Sequence, residues 1–181
     1  MTAAAPRLAA VPSEAAPKVH ARLDGVTRVY PPRAGHGEVH ALGPISFDLR
    51  AGEFFSVVGP SGCGKSTLLD VLAGLAVPSA GSVEFEGKPV RGEGPDGVGV
   101  VFQEDASFPW LTVEDNVAFG LRRAGVDAAE SRRRVDFAVG FMGLKDFRRA
   151  YPSQLSGGMR QRVCIARTLV MQPRLILLDE P

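Results

Sequence analysis

Hydrophobic positions follow two different rhythms along this chain, and the change from one to the other divides it. The apolar residues Leu23, Val26 and Val29 predict a strand ending near Tyr30. Ile45, Phe47 and Leu49 alternate with polar neighbours and predict a second strand. Between the two, PPRAGHG at 31–37 is rich in turn formers. The unbroken run Phe54-Phe55-Ser56-Val57-Val58 closes on Gly59 and has the pattern of a strand buried on both faces. A helix is predicted from Lys65 to about Leu75, with Gly74 near its end, and Ser82–Phe85 and Val98–Phe102 predict two more short strands.

After Gln103 the rhythm lengthens to the helical period. Thr112, with Asp115 three residues on, has the form of a capping box and opens a helix through about Arg123. Asp127 starts another, with Val135, Ala138, Val139 and Met142 at helical spacing. Ser156 can cap a third helix running to about Met171. Leu175–Leu178 then predicts a buried strand that runs into Asp179-Glu180-Pro181. Two strand-rich flanks thus enclose an all-helical insert at about 104–165, and no internal repeat is present. The adjacent arginines Arg132, Arg133 and Arg134 read as a solvated helix face, because neighbouring helical positions point in different directions.

Composition changes this picture little. The 181 residues suffice for one sizeable core, and the apolar share of 45% with 23% charged residues is ordinary for a soluble globular protein. A net charge of +1 gives no reason to expect nucleic acid as a partner. Cys63 and Cys164 form no CxxC pair, which fits a reduced, cytosolic compartment. The Ala/Pro-rich residues 1–18 lack the apolar core of a signal peptide and read as a disordered leader before a domain at 19–181. No apolar run approaches the roughly 18 residues that span a bilayer, so membrane association must come through a partner.

The chemistry enters at Gly59-Pro60-Ser61-Gly62-Cys63-Gly64-Lys65-Ser66, with Thr67 following. This fits G-x-x-x-x-G-K-[ST], the P-loop, between a predicted strand and a predicted helix. Its glycines let backbone N–H groups turn inward around phosphates, and the helix N-terminus adds a positive field. Lys65 would reach the β- and γ-phosphates, and the Ser66 hydroxyl would bind Mg²⁺. Chance alone produces such a pattern in roughly one chain per hundred of this length. Alone it leaves kinases, GTPases and many ATPases open.

A second glycine-rich helix start, Leu155-Ser156-Gly157-Gly158-Met159-Arg160-Gln161-Arg162, offers another anion site through the N–H groups of Ser156, Gly157 and Gly158. One nucleotide has no use for two phosphate cradles unless the second serves a nucleotide on another subunit. LSGGMRQR resembles the signature motif of ABC-transporter ATPases. The resemblance spans residues 20–181 and implies an α/β P-loop NTPase fold: a RecA-like core, an antiparallel β subdomain and a helical subdomain. It implies a head-to-tail dimer in which the signature of one copy caps the γ-phosphate of ATP in the other. Leu175–Leu178 with Asp179-Glu180 resembles Walker B, which implies that Asp179 holds Mg²⁺ and that Glu180 polarises the attacking water. Gln103 resembles the Q-loop glutamine that approaches metal and water, and Tyr30 the aromatic residue that stacks on adenine. Without the family, Asp179-Glu180 could open a loop and Tyr30 could be a packed strand-end residue.

GEVHALGPISFDLRAGEFFSVVGPSGCGKSTLL, GPDGVGVVFQE and FPWLTVEDNVAFGL are similar to the ATPase subunits of nitrate, sulfonate and taurine importers. That likeness implies a transmembrane permease subunit as partner, a solute-binding protein acting indirectly, and a peripheral place on the cytoplasmic face of the membrane. Phe108, Pro109 and Trp110 are either part of the permease-docking surface or core residues. The family pattern continues beyond Walker B into a D-loop and a strand ending in a switch histidine. Here His20, His36 and His40 all precede the P-loop. The expectation is therefore a C-terminally incomplete domain, in which the Phe54–Val58 and Leu175–Leu178 strands lack a shared neighbour and the chain folds poorly or aggregates. The readings in competition are a transport motor subunit, a catalytically defective fragment of one, and a non-transport ABC protein. The last is disfavoured by the short helical insert without coiled-coil heptads or zinc-type cysteines.

Overall fold

The computed structural model describes residues 18–32, 37–104 and 106–180. The expectations for residues 1–17, for 33–36 of the turn-rich insertion with His36, and for Pro181 lie outside the described residues. Lys18, assigned to the leader, belongs instead to the folded part: its carbonyl accepts a hydrogen bond from the Ala51 N–H.

β1 (Val19–Tyr30) and β2 (Val39–Arg50) form a long antiparallel pair, from Val19 opposite Arg50 to Tyr30 opposite Val39, with the register shifting at four places between them. β3 (Ala80–Phe85) adds to the other edge of β1, and the two-residue β4 (Lys88–Pro89) closes a four-stranded sheet of order β2-β1-β3-β4. The sequence pattern did not reveal β4. Alternation puts Ala21, Leu23, Leu49, Val83 and Phe85 on the inner face. There they meet Leu68, Val71 and Leu72 of α1 (Lys65–Leu72), and the Val71 side chain is wholly buried. α1 stops short of the expected Leu75 because Gly74 turns left-handed at φ 70. A Cβ there would press on the Glu93 carbonyl, so only glycine fits the turn.

β5 (Val98–Val101) and β6 (Leu175–Leu178) pair in parallel, Val98 beside Leu175 through Val101 beside Leu178. Two expectations fail here. Phe54–Val58 forms no regular strand, and Phe54 and Val58 are 90% and 91% exposed. A strand of this kind is held by ladder bonds to a neighbour, and among the described residues none runs beside it. β6 is likewise only half covered: Leu177 is buried, while Ile176 and Leu178 face outward.

The insert is helical as its rhythm predicts. α2 (Val113–Arg123), α3 (Ala128–Phe141) and α4 (Gly157–Leu169) pack around a second core of Val113, Val117, Leu121, Val139, Leu144 and Val163. Their starts are capped where the sequence placed caps. Thr112 accepts from the Asp115 N–H, Asp127 from Ala129 and Glu130, and Ser156 from Met159. Two single-turn 3₁₀ segments at 145–147 and 152–154 join α3 to α4. The arginine triplet is not simply solvated. Arg133 and Arg134 both pair with Glu130, and Arg134 also donates to the Val170 carbonyl at the end of α4. α4 ties the helices to the parallel pair through Thr168 Oγ1, which donates to the Val100 carbonyl at 3.3 Å. Among the described residues, no helix is long and apolar enough to cross a membrane.

Candidate functional site

The glycine-rich loop 59–64 leads from the exposed segment 54–58 into α1, and its shape follows from its glycines. Gly62 and Gly64 adopt left-handed backbone, φ 80 and φ 98, and Gly64 is the residue from which α1 starts. At Gly64 a Cβ would collide with the Ala41 carbonyl on β2, so this glycine both turns the chain and lets it sit against the antiparallel sheet. No side chain caps the N-terminus of α1, which leaves its first N–H groups and their positive field available to an anion. Ser61, Cys63 and Ser66 are exposed along this rim, and Pro60 accepts a hydrogen bond from the Cys63 N–H.

Lys65 is held at the centre of the loop. Its Nζ donates to the Gly59 carbonyl at 2.9 Å and to the Pro60 carbonyl at 3.1 Å, and it lies 3.8 Å from Glu180 Oε1. The other carboxylate oxygen of Glu180 accepts from Gln103 Nε2 at 2.8 Å. Three residues chosen from sequence, 38 and 77 positions apart, therefore meet at one point. Gln103 comes from the end of β5, Glu180 from the end of β6 and Lys65 from the start of α1. The parallel β5–β6 pairing brings the first two together. Glu180 itself takes left-handed backbone, φ 45, breaking the direction of β6 where its side chain meets the other two.

Asp179 lies one residue earlier, half-buried. Burial first, and the charge of Asp179 second, push the Asp70 carboxyl above the usual carboxylate range. Asp70 follows Ser66 by one helical turn, so the Ser66 rim of α1 and the end of β6 carry an excess of negative charge. That arrangement suits a cation between hydroxyl and carboxylate.

The other selected residues sit elsewhere. Ser156, Gly157 and Gly158 are exposed at the start of α4 and make none of the contacts around Lys65, so they do not complete that cluster within one copy. Tyr30 lies at the end of β1, half-buried, with the Arg28 guanidinium 4.6 Å from its ring centroid. The two readings of Phe108-Pro109-Trp110 divide between residues. Phe108 packs on Phe119 and carries Arg167 over its ring, while Trp110 is 71% exposed.

One residue of consequence was missed. Asn116 is completely buried in α2 and binds the segment that follows Gln103. Its Oδ1 accepts from the Phe108 N–H at 2.7 Å, and its Nδ2 reaches the carbonyls of Phe108, Leu111 and Thr112 at 3.0–3.1 Å. A polar residue at a core position of the α2 apolar stripe was the available signal.

Comparison with known proteins agrees with this geometry. The family model described as ABC transporter matches residues 42–181. The spermidine/putrescine import ATP-binding protein of Rubrobacter xylanophilus is 48% identical over 90% of this chain and 42% of its own length. The taurine import ATP-binding protein of Pelagibacter ubique is 46% identical over 79% of this chain and 54% of its own. The nitrate import ATP-binding protein of a Synechocystis strain is 43% identical over 90% and 60%. The chain thus spans about half the length of the curated relatives it matches. Among solved structures, a dimeric ATP-binding cassette in a post-hydrolysis state with ADP and Pi superposes with a TM-score of 0.78 at 34% identity, covering 88% of this chain and 73% of that one. With its P-loop, signature segment and Walker B end on one α/β framework, the chain belongs to the ATP-binding proteins of the ABC transporter family.

Proposed function

We propose that this chain binds ATP and Mg²⁺ and hydrolyses ATP as the motor part of an ABC importer. The observation that carries the reading is the meeting of Lys65, Gln103 and Glu180. A cation, an amide and a carboxylate converge beside uncapped helix N–H groups, which is what phosphoryl transfer to water requires. The loop Gly59, Pro60, Ser61, Gly62, Cys63, Gly64 wraps the phosphates, with Ser66 and Thr67 at the first turn of α1. Lys65 turns from its own loop carbonyls to the β- and γ-phosphate oxygens. Ser66, Asp179 and Gln103 would hold Mg²⁺, which neutralises charge on the phosphates. Glu180 then accepts the proton of the attacking water, oriented by Gln103.

Ser156, Gly157 and Gly158 act in trans, capping the γ-phosphate bound to a second copy; their exposure, and the fact that the partners of Lys65 are Gly59, Pro60 and Glu180, support that role. Trp110, exposed beside the Q-loop, belongs to the surface that docks the transmembrane permease. The chain would then lie at the cytoplasmic face of the membrane, with the solute-binding protein acting through the permease and no nucleic acid involved. A small anion such as nitrate, a sulfonate or taurine is the proposed cargo, on the likeness to the taurine and nitrate relatives. The polyamine relative makes a cationic cargo the alternative.

One observation favours a second reading, in which nucleotide is held weakly and not turned over. Phe54–Val58, immediately before the P-loop, is anchored in no sheet. Phosphate release by the 181-residue chain, beside Lys65→Ala, decides between the two. Turnover lost in Lys65→Ala supports the motor; binding without turnover in the unaltered chain supports the second reading.

A further inference from the structure

Arg28 and Tyr30 are two apart on β1 and so share one face of the strand. The guanidinium lies over the tyrosine ring, 4.6 Å from its centroid, and its Nη1 donates to the Val77 carbonyl at 2.7 Å. Among the described residues no carboxylate pairs with Arg28, and its Nε is buried without a hydrogen-bond partner. Its charge is therefore spent on the ring and on one backbone carbonyl. The Val77 end is fixed in turn. Ser79 N donates to the Thr27 carbonyl at 2.7 Å, and Ser79 Oγ accepts from the Val29 N–H at 2.9 Å. The segment from α1 to β3 is thus sewn to β1 on both sides of Arg28, and that segment descends directly from the P-loop helix.

We infer that Arg28 is a positioning residue for base recognition: it clamps one face of Tyr30 so that only the opposite face is presented to adenine. The inference rests on the proposed reading of this chain as a nucleotide binder. A tyrosine at the end of a strand is free to swing about χ1, and adenine stacking must then meet the entropy of fixing the ring. A guanidinium over one face, itself anchored to Val77, removes that freedom before the base arrives. It also draws electron density toward the covered face, which leaves the uncovered face better suited to an electron-rich purine. Because Val77 follows α1, the same clamp sets the distance between the base platform and the phosphate cradle.

The test separates base from phosphates. Binding of Mg-ATP and of magnesium tripolyphosphate, which lacks base and ribose, is measured by calorimetry on the 181-residue chain and on Arg28→Ala, Arg28→Met and Arg28→Lys. Arg28→Ala is expected to weaken ATP about three- to tenfold, the range of a partly exposed cation–π contact, with tripolyphosphate unchanged. Arg28→Lys keeps the cation and restores most of the ATP affinity, while Arg28→Met, which covers the ring without charge, does not. Should Arg28→Ala fail to fold, the Lys and Met variants make the same comparison. Equal losses for ATP and tripolyphosphate, or ATP binding that is unchanged or tighter, overturn the inference; tighter binding would mean that Arg28 covers the face adenine needs. An unaltered chain that binds neither ligand overturns the nucleotide-site reading, and this assignment falls with it.

Discussion

Gln103 Nε2 donates to Glu180 Oε2 at 2.8 Å, so the residue two past the end of β5 is locked to the residue two past the end of β6. Since Glu180 also faces Lys65 at 3.8 Å, one carboxylate joins the glutamine to the phosphate loop. Removing the carboxylate charge while keeping its shape, Glu180→Gln, is expected to lower ATP turnover by about two orders of magnitude or more, the usual worth of a positioned general base. ATP affinity should hold. Single-turnover phosphate release and equilibrium binding on the same variant give the two values.

Gln103→Ala leaves the carboxylate in place but frees its second oxygen. Turnover is expected to fall less than in Glu180→Gln, roughly tenfold, because orientation is lost while the base remains. A loss equal to that of Glu180→Gln would assign Gln103 a share in the proton transfer itself.

Asn116 makes the strongest stability prediction. Asn116→Leu fills the volume but leaves the Phe108 N–H and the Leu111 carbonyl without their partner, while the Phe108 and Thr112 carbonyls keep the N–H groups of Leu111 and Asn116. A loss of about 2–4 kcal/mol is expected, at roughly 1–3 kcal/mol for each buried group left unmet. Thr112→Ala, which removes only the cap of α2, should cost about 1 kcal/mol. Urea unfolding followed by circular dichroism ranks the two, and a smaller effect at Asn116 would contradict the burial argument.

Asp70 and Asp115 should respond to pH in opposite senses. Burial and Asp179 raise Asp70, so in the folded state it is harder to ionise than in the unfolded chain. Its contribution is most favourable below the unfolded carboxylate range and is lost as pH rises through the higher folded value. Asp70→Asn is therefore expected to raise the Tm at pH 7, with the gain shrinking toward pH 4. Asp115 is held low by hydrogen bonds from Arg122 and Thr112, so its contribution is present at pH 7 and fades as pH falls through that lowered value. Asp115→Asn should lower the Tm at pH 7 and matter less in acid. Melting curves across pH 2–7.5 show both trends.

Phe54 and Val58, nearly fully exposed, should contribute little to the stability of these residues as they stand and much to their self-association. Phe54→Thr with Val58→Thr is expected to shift the unfolding free energy by less than about 0.5 kcal/mol. Light scattering and dye binding to apolar surface should both fall. In contrast Val26→Ala, at a wholly buried site on β1, should cost about 2 kcal/mol or more.

Local chemistry was legible in the residues. Glycines that must turn left-handed, a lysine before a helix, capping oxygens at Thr112, Asp127 and Ser156, and the helical rhythm after Gln103 all act within a few positions, so the sequence determined the P-loop, the helix starts and the helical layer. Pairing was not legible in the residues themselves, because a strand is completed by a partner that its own residues do not name; only the family pattern anticipated that Phe54–Val58 and β6 lack a shared neighbour. Phe54–Val58 has the composition of a buried strand, yet it lies open where no neighbour runs beside it, and half of β6 faces outward for the same reason. Asn116 escaped notice because its value lies in four backbone groups it meets only after α2 folds against the Phe108 segment. The family resemblance already gathered Lys65, Gln103 and Glu180 around one nucleotide, but their residues alone gave no reason for it. The tertiary structure supplies that reason by running β5 and β6 in parallel to end beside α1.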